Sequence, residues 1–232
     1  MFTSPRKSIR LDSITVSIVS LLNPFTIASC LGRSTSIFTN TAIIHAVSRA
    51  IDGDGNGSML ALAFASYFSL YPILLFPPLA LLHFDRISSM KPDLKTSRVV
   101  LINLGSLLSF VLLLLGLSYS ITGSWQFIGS TYGFHLSVPD LTPNVGLWWY
   151  FFIEIFDSFR EFFLGVFWLH LACYTGGLTL RLKKQPLFVI TTLLGIFAIF
   201  KPYPSISDLS LYLQFVPLYW HLFSRELSSH FG

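Results

Sequence analysis

Charge is scarce in this chain. Its 232 residues include 15 Lys and Arg and 11 Asp and Glu, so 11% is charged while 53% is hydrophobic. A soluble domain carries about 25% charged residues, and no stretch here stands apart as a soluble block. The excess of four positive charges is scattered over short segments. Nucleic-acid recognition needs Lys and Arg gathered on one face, so nucleic acid is excluded as a partner. Cysteine is nearly absent as well. Cys30 and Cys173 lie in apolar runs without metal-ligand spacing, which excludes a disulfide framework and reads as two buried small side chains. The six histidines, His45, His83, His135, His170, His221 and His230, are far apart and share no ligand spacing. No Gly-rich phosphate loop follows a strand, because no strand pattern exists. No metal, cofactor or catalytic residue is expected.

One polar run imitates a metal loop. Asp52-Gly53-Asp54-Gly55-Asn56-Gly57 places oxygens at alternate positions and Gly at the sixth. The twelfth position needs a bidentate Glu and holds Ala63. The run reads instead as a flexible connection between helices. It contains the sequon Asn56-Gly57-Ser58, too close to an apolar run for ready use.

What the chain has in abundance is long apolar segments. A membrane span needs about 20 apolar residues. The expected fold is all-α, a polytopic transmembrane helical bundle forming one multi-pass membrane domain over 1–232. Its approximate spans are 34–50, 58–84, 99–121, 147–180, 186–200 and 206–223. The N-terminus, with Arg6, Lys7 and Arg10 before an apolar stretch to Leu22, reads as a cytosolic basic tip. The segment 58–84 is broken by Tyr71-Pro72 and Pro77-Pro78. A single kinked span is the expectation, which places 51–58 outside. Two half-helices would return it to the starting side, and such breaks sit only against protein or a water-filled cavity. Loop 85–98 carries Arg86, Lys91, Lys95 and Arg98, loop 122–146 carries no Lys or Arg, and 181–185 carries Arg181, Lys183 and Lys184. Basic loops remain cytoplasmic, so 122–146 is expected on the lumenal side.

The most informative stretch begins there. Asp140-Leu141-Thr142-Pro143-Asn144-Val145-Gly146 runs into Leu147-Trp148-Trp149-Tyr150-Phe151-Phe152. Trp and Tyr concentrate where a membrane meets water. Beyond that wall, Glu154, Asp157 and Glu161 recur at spacings of three and four, and on a continuous helix they share one face. Arg160 would pair with Asp157. The stripe either touches water along an interfacial helix over 147–158, ahead of a span over 162–180, or meets a partner or the bundle interior.

Several of these motifs resemble one family. Leu22-Asn23-Pro24-Phe25-Thr26-Ile27-Ala28-Ser29-Cys30 with Ser34-Thr35-Ser36, then Ser69-Leu70-Tyr71-Pro72, the 140–152 stretch, and Ile199-Phe200-Lys201-Pro202-Tyr203-Pro204 are similar, in order, to the PIG-U subunit of glycosylphosphatidylinositol (GPI) transamidase. The resemblance implies a multi-pass protein of the endoplasmic-reticulum membrane, in a complex that attaches GPI anchors to proteins. Its partners would be the other transamidase subunits and the GPI lipid, with catalysis in another subunit. It implies a role in presenting the GPI lipid or the substrate's hydrophobic tail, and a fold similar to the membrane part of C-type glycosyltransferases. A lipid-linked GPI mannosyltransferase of that fold is the alternative. Family members have further spans before Leu22 and after Leu222, so the sequence is expected to be partial at both ends. On this reading the candidate lipid or partner contacts are Asn23, Asp140, Thr142, Asn144, Trp148, Trp149, Glu154, Asp157 and Glu161.

Overall fold

A computed structural model describes residues 13–219; the basic N-terminal tip and residues 220–223 of the last expected span lie outside it. Among the described residues the regular structure is helical and contains no strand. Helices α1 (Ser13–Leu21) and α2 (Pro24–Leu31) meet at 52°. The bend sits at Asn23, whose side chain accepts from the Phe25 N–H at 3.0 Å while Pro24 opens the new helix. Asn is a favoured N-cap and Pro a favoured first residue, so Asn23 is explained by capping.

Helix α3 (Ser36–Asp52) stops at Gly53, which has φ of 86°. This left-handed C-cap suits glycine. Asp54 then caps α4 (Gly55–Phe68), accepting from the Gly57 N–H at 2.9 Å, and lies 3.6 Å from Arg49. The Asp/Gly run is thus a tight helix-to-helix corner rather than a flexible connection. α3 and α4 meet through Ala42, Ala46, Ala50, Ala61 and Ala65, all buried; small residues let helices approach closely.

The segment 58–84 is not one kinked span. α4 ends at Phe68, a 3₁₀ turn covers Tyr71–Leu75, and α5 (Phe76–Ser88) runs back alongside. At the far end a Cβ on Gly55 would strike the His83 ring, and Gly53 faces the Arg86 stem. Pro72, Pro77 and Pro78 withhold three backbone donors where α4 would continue, and Gly55 admits the returning arm. The 53–54 corner therefore lies at the same end of the bundle as the 89–95 loop.

α6 (Thr96–Thr122) is a single rod closed by Gly123 at φ 67°. Next come α7 (Gln126–Ile128), a π-helical turn over Gly129–Gly133 and α8 (Phe134–Ser137). Then follow α9 (Leu147–Glu154), a 3₁₀ turn over Asp157–Phe159, α10 (Arg160–Arg181), α11 (Pro186–Phe200) and α12 (Ile206–Phe215), with a 3₁₀ turn over Val216–Tyr219. Two helical stretches, Thr96–Thr122 and Asp157–Arg181, are long and apolar enough to cross a membrane, or three if α1 and α2 count as one broken span. At about 1.5 Å per residue, α4 and α5 are shorter than the bilayer core of about 30 Å; they fill the bundle interior instead. Leu62, Leu75, Leu79, Val189, Ile190 and Leu193 are fully buried there. Cys30 and Cys173 are free and exposed, not buried as expected.

Chain direction sorts the loops into two ends. The 53–54 corner and the basic loops 89–95 and 182–185 share the first. Residues 32–35, 69–75, 123–146 and 201–205 share the second. Tyr132, from the long loop, donates to the Tyr67 carbonyl at 2.7 Å at that second end.

Candidate functional site

The second end holds a polar cleft of about 300 Å³. Its walls come from four places distant in sequence: the start of α3, the turn after α4, α8, and the connection from α11 into α12. Three of them are motif segments, Ser34-Thr35-Ser36, Ser69-Leu70-Tyr71-Pro72 and Lys201-Pro202-Tyr203-Pro204.

Local rules build each wall. Ser205 begins α12 with a reciprocal capping box: Asp208 Oδ2 accepts from the Ser205 N–H at 2.9 Å and its hydroxyl at 2.7 Å. That fixes Asp208, and Lys201 Nζ donates to its Oδ1 at 2.8 Å. Both side chains are about 15% exposed, so the pair is largely withdrawn from solvent. Lys201 Nζ also lies 5.5 Å from the centre of the Tyr71 ring, a cation–π distance. Asn40 donates to the Ser207 carbonyl at 2.9 Å and hydroxyl at 2.8 Å, tying α3 to α12.

Two polar groups at the cleft lack partners. The Tyr71 hydroxyl is buried and forms no hydrogen bond, although its ring stacks on Trp168 at 5.4 Å. His135 Nδ1 is likewise unsatisfied. Burial, and then the nearby Lys201 cation, push the His135 imidazole below its ordinary range, so its neutral form is favoured. Tyr203 stacks on Phe134 at 5.4 Å and donates to the Asp140 carbonyl at 2.9 Å.

The sequence-selected residues fall into distinct roles. Asp140, Thr142, Asn144 and Trp149 share one turn beside the cleft. Asp140 Oδ1 accepts from the Thr142 hydroxyl at 2.5 Å and its N–H at 2.9 Å, and these bonds hold the carboxyl below its ordinary range. Asn144 accepts from the Gly146 N–H at 2.7 Å. Trp149 Nε1 donates to the Leu141 carbonyl at 2.9 Å. Trp148 is no interface contact: it is fully buried and donates to the Phe200 carbonyl at 2.6 Å. Glu154, Asp157 and Glu161 are exposed and do not share a helical face, because Ile155 and Phe156 are extended, with ψ of 148° and 138°, and end α9. Arg160 does not pair with Asp157. It donates to the Val138 carbonyl and lies over the Phe152 ring.

Sequence reasoning missed Asn40, His135 and Asp208 as site residues, and used Tyr71 and Lys201 only as motif letters. The available signal was Ser205-x-x-Asp208, a capping-box spacing whose Asp falls seven residues after a lysine flanked by apolar segments.

A wider apolar groove of about 930 Å³ adjoins the cleft between α11, α12 and the start of α9. Ser205 lines both. The fit at Gly195 is close, since a Cβ would sit 3.0 Å from the Tyr212 ring.

A family model described as GPI transamidase subunit PIG-U matches residues 2–231. The chain is 39% identical over 211 residues to human GPI-anchor transamidase component PIGU, covering 90% of this chain and 48% of that protein. It is 38% identical over 225 residues to the Saccharomyces cerevisiae GPI transamidase component GAB1, covering 95% and 54% respectively. The Schizosaccharomyces pombe GAB1 homolog is 30% identical over 204 residues. The chain spans about half the length of the curated relatives it matches. With motif order, an all-helical apolar fold and these matches in agreement, the chain belongs to the PIG-U family of GPI transamidase subunits.

Proposed function

We propose that the chain acts as a non-catalytic membrane component of GPI transamidase in the endoplasmic-reticulum membrane. On this reading it holds the GPI lipid, or the substrate's hydrophobic tail, while another subunit carries out the transfer. The carrying observation is that three family-resembling motif segments line one polar cleft, with the 140–146 turn beside it and an apolar groove adjoining. Such a pair suits an amphiphile lying at a membrane surface. The cleft's charges support holding rather than chemistry. Lys201 and Asp208 are bonded to each other and Asp208 also caps α12, so neither charged group is free to take or give a proton; His135 keeps an unpaired Nδ1 but has no hydrogen bond there to a nucleophile it could activate. The relatives are components of GPI transamidase, so the other transamidase subunits are the proposed partners.

The test is recovery of the native assembly. The tagged chain is expressed in cells and isolated from digitonin-solubilised membranes, and its companions are identified by mass spectrometry. Transamidase subunits should be recovered in defined stoichiometry. Their absence, with the chain itself folded and monodisperse, would remove the proposed role.

A further inference from the structure

We infer that the corner between α3 and α4, residues 52–56, lies below the membrane surface at the end where the basic loops gather, in a recess into which water and zwitterionic phospholipid headgroups of that leaflet sink. The bilayer is therefore thinned beside α4.

The register of α6 supplies the depth. Ser106 donates to Asn56 Oδ1 at 3.0 Å, and the Tyr67 and Ser118 hydroxyls lie 2.6 Å apart. Eleven positions on α4 thus match twelve on α6, so the two helices run side by side in the same direction. α6 also carries its own membrane boundaries. Arg98 is the last charge before its apolar run. At the other end Tyr119 stacks on Trp125 at 4.5 Å, and Tyr and Trp mark an interface. A bilayer core of about 30 Å takes about 20 helical residues, which from Tyr119 reaches back to Val99 and Val100, next to Arg98. On that scale Ser106, and Asn56 beside it, lie about 12 Å inward of Arg98. Asp54 and Asp52, up to one helical turn nearer the surface, remain roughly 6–9 Å inward.

The corner falls short of the surface because its neighbours overshoot it. Asn103 Nδ2 lies 2.9 Å from His83 Nδ1, which aligns α5 with α6, and the His83 ring lies against Gly55. The rest of α5, to Ser88, and the start of α6, from Thr96, continue outward past the corner and wall it on one side. The floor is polar. Asp52 and Asn56 are exposed, and Arg49 and Asp54 pair loosely at 3.6 Å with side chains 46% and 44% exposed. Carboxylates at such depth are costly in hydrocarbon. Long Lys and Arg side chains reach back to the surface, whereas aspartate is too short to do so. A dry protein cover would demand closely paired, fully hydrogen-bonded charges, and the Arg49–Asp54 pair is not close. Water and headgroups meet the need. The floor carries both signs, with Arg49 and Arg86 beside Asp52 and Asp54, which suits a headgroup holding both phosphate and ammonium. α4 has 14 residues between the corner and its far end, or about 21 Å. A sunken leaflet matches that length, and an ordinary core of about 30 Å does not.

The experiment uses the tagged chain in the complex it assembles into, reconstituted in phosphatidylcholine vesicles. The fluorescent amino acid Anap is encoded in place of Asp52, Asn56 or Leu108, and monodisperse elution checks each variant. Leu108 is exposed on α6 and lies within one turn of Ser106 in depth. Each variant is quenched in parallel by phosphatidylcholine carrying a nitroxide on the headgroup and by the same lipid carrying it midway along an acyl chain. Headgroup quenching should exceed acyl quenching at 52 and 56, and the order should invert at 108 despite its similar depth. Dominant acyl quenching at a corner position would place it in hydrocarbon. Absence of quenching by either lipid at the corner would show a companion subunit covering it. Dominant headgroup quenching at 108 would show that the boundary lies deeper on α6 and that the corner sits at an ordinary surface. Each of these three results would overturn the recess.

Discussion

Replacing Trp148 separates a core anchor from a membrane-interface contact. Its indole is fully buried, packs on Phe167 at 4.8 Å and Trp168 at 5.7 Å, and donates to the Phe200 carbonyl at 2.6 Å. That carbonyl lies at the end of α11, where helices leave acceptors unpaired. Trp148→Phe keeps a ring but strands the carbonyl, which costs about 1–3 kcal/mol. Trp148→Ala adds a cavity, and large aromatic truncations in a core cost about 3–5 kcal/mol. A chain unfolded in lipid or detergent is already out of water, so the transfer part shrinks and the packing part remains. The low ends of both ranges therefore apply, about 1 kcal/mol for Phe and about 3 kcal/mol for Ala. For a chain of this size each kcal/mol moves the melting midpoint by about 2–4 °C, so Trp148→Ala should melt on the order of 10 °C lower. The assay is loss of monodisperse elution after heating in detergent, with Trp149→Phe as comparison. Trp149 is half-buried and bonds only the neighbouring Leu141 carbonyl, and should lose about 1 kcal/mol at most. A Trp148→Ala protein that melts with the parent, beside a strongly weakened Trp149→Phe, would show that the buried indole does not anchor the fold.

Three further outcomes are expected. With Cys30 and Cys173 replaced by Ser, single cysteines at Asp52 and Ser89 should label from the same side of the membrane and one at Ser130 from the other; opposite labelling of Asp52 and Ser89 would restore the single kinked span. Lys201→Met should destabilise more than the pair Lys201→Met with Asp208→Asn, by about 1–2 kcal/mol in a double-mutant cycle, because the single change leaves a largely buried carboxylate without its cation; additive losses would show the pair to be uncoupled. His135 is held below its ordinary value of 6.5 by burial and then by Lys201, so the folded state resists protonation. Stability should be complete above that ordinary value and fall as pH drops from it towards the lowered folded value. The midpoint should decline as pH falls below about 6.5 in the parent and less in His135→Gln, and identical pH profiles would refute the assignment.

The architecture was legible wherever one helix carried its own signal. α6 is an unbroken apolar run, and its rod follows from that. The long segment after Leu147 contained its own division, since 34 residues exceed one upright span. Its exact break was not legible. Helical spacing placed Glu154, Asp157 and Glu161 on one face, but that inference holds only while the helix continues, and Ile155 and Phe156 are extended. No Pro or Gly marks the break. The structure offers a tertiary account instead: Phe152 and Trp148 are buried against Phe167, and α9 and α10 could not both reach that cluster on one straight axis.

The hairpin of α4 and α5 shows the opposite case, in which the punctuation was visible and its meaning was not. Tyr71-Pro72 and Pro77-Pro78 say that a helix cannot run through. They do not say whether the chain bends or returns. The decision comes from Gly55 and His83, which are 28 positions apart and meet only because one has no side chain. The cleft has the same logic on a larger scale. Its motif segments were readable as a family resemblance, yet Tyr71, His135 and Lys201 look unrelated along the chain, and periodicity cannot join residues separated by more than sixty positions. What joins them is the hairpin itself. A single kinked span would carry Tyr71 into the middle of the bundle, away from both 123–146 and 201–205. Because the chain turns back at Tyr71–Leu75, the turn lies at the end where those loops gather, and the unpartnered hydroxyl lines the cleft. The correction to the fold is therefore also what creates the candidate site.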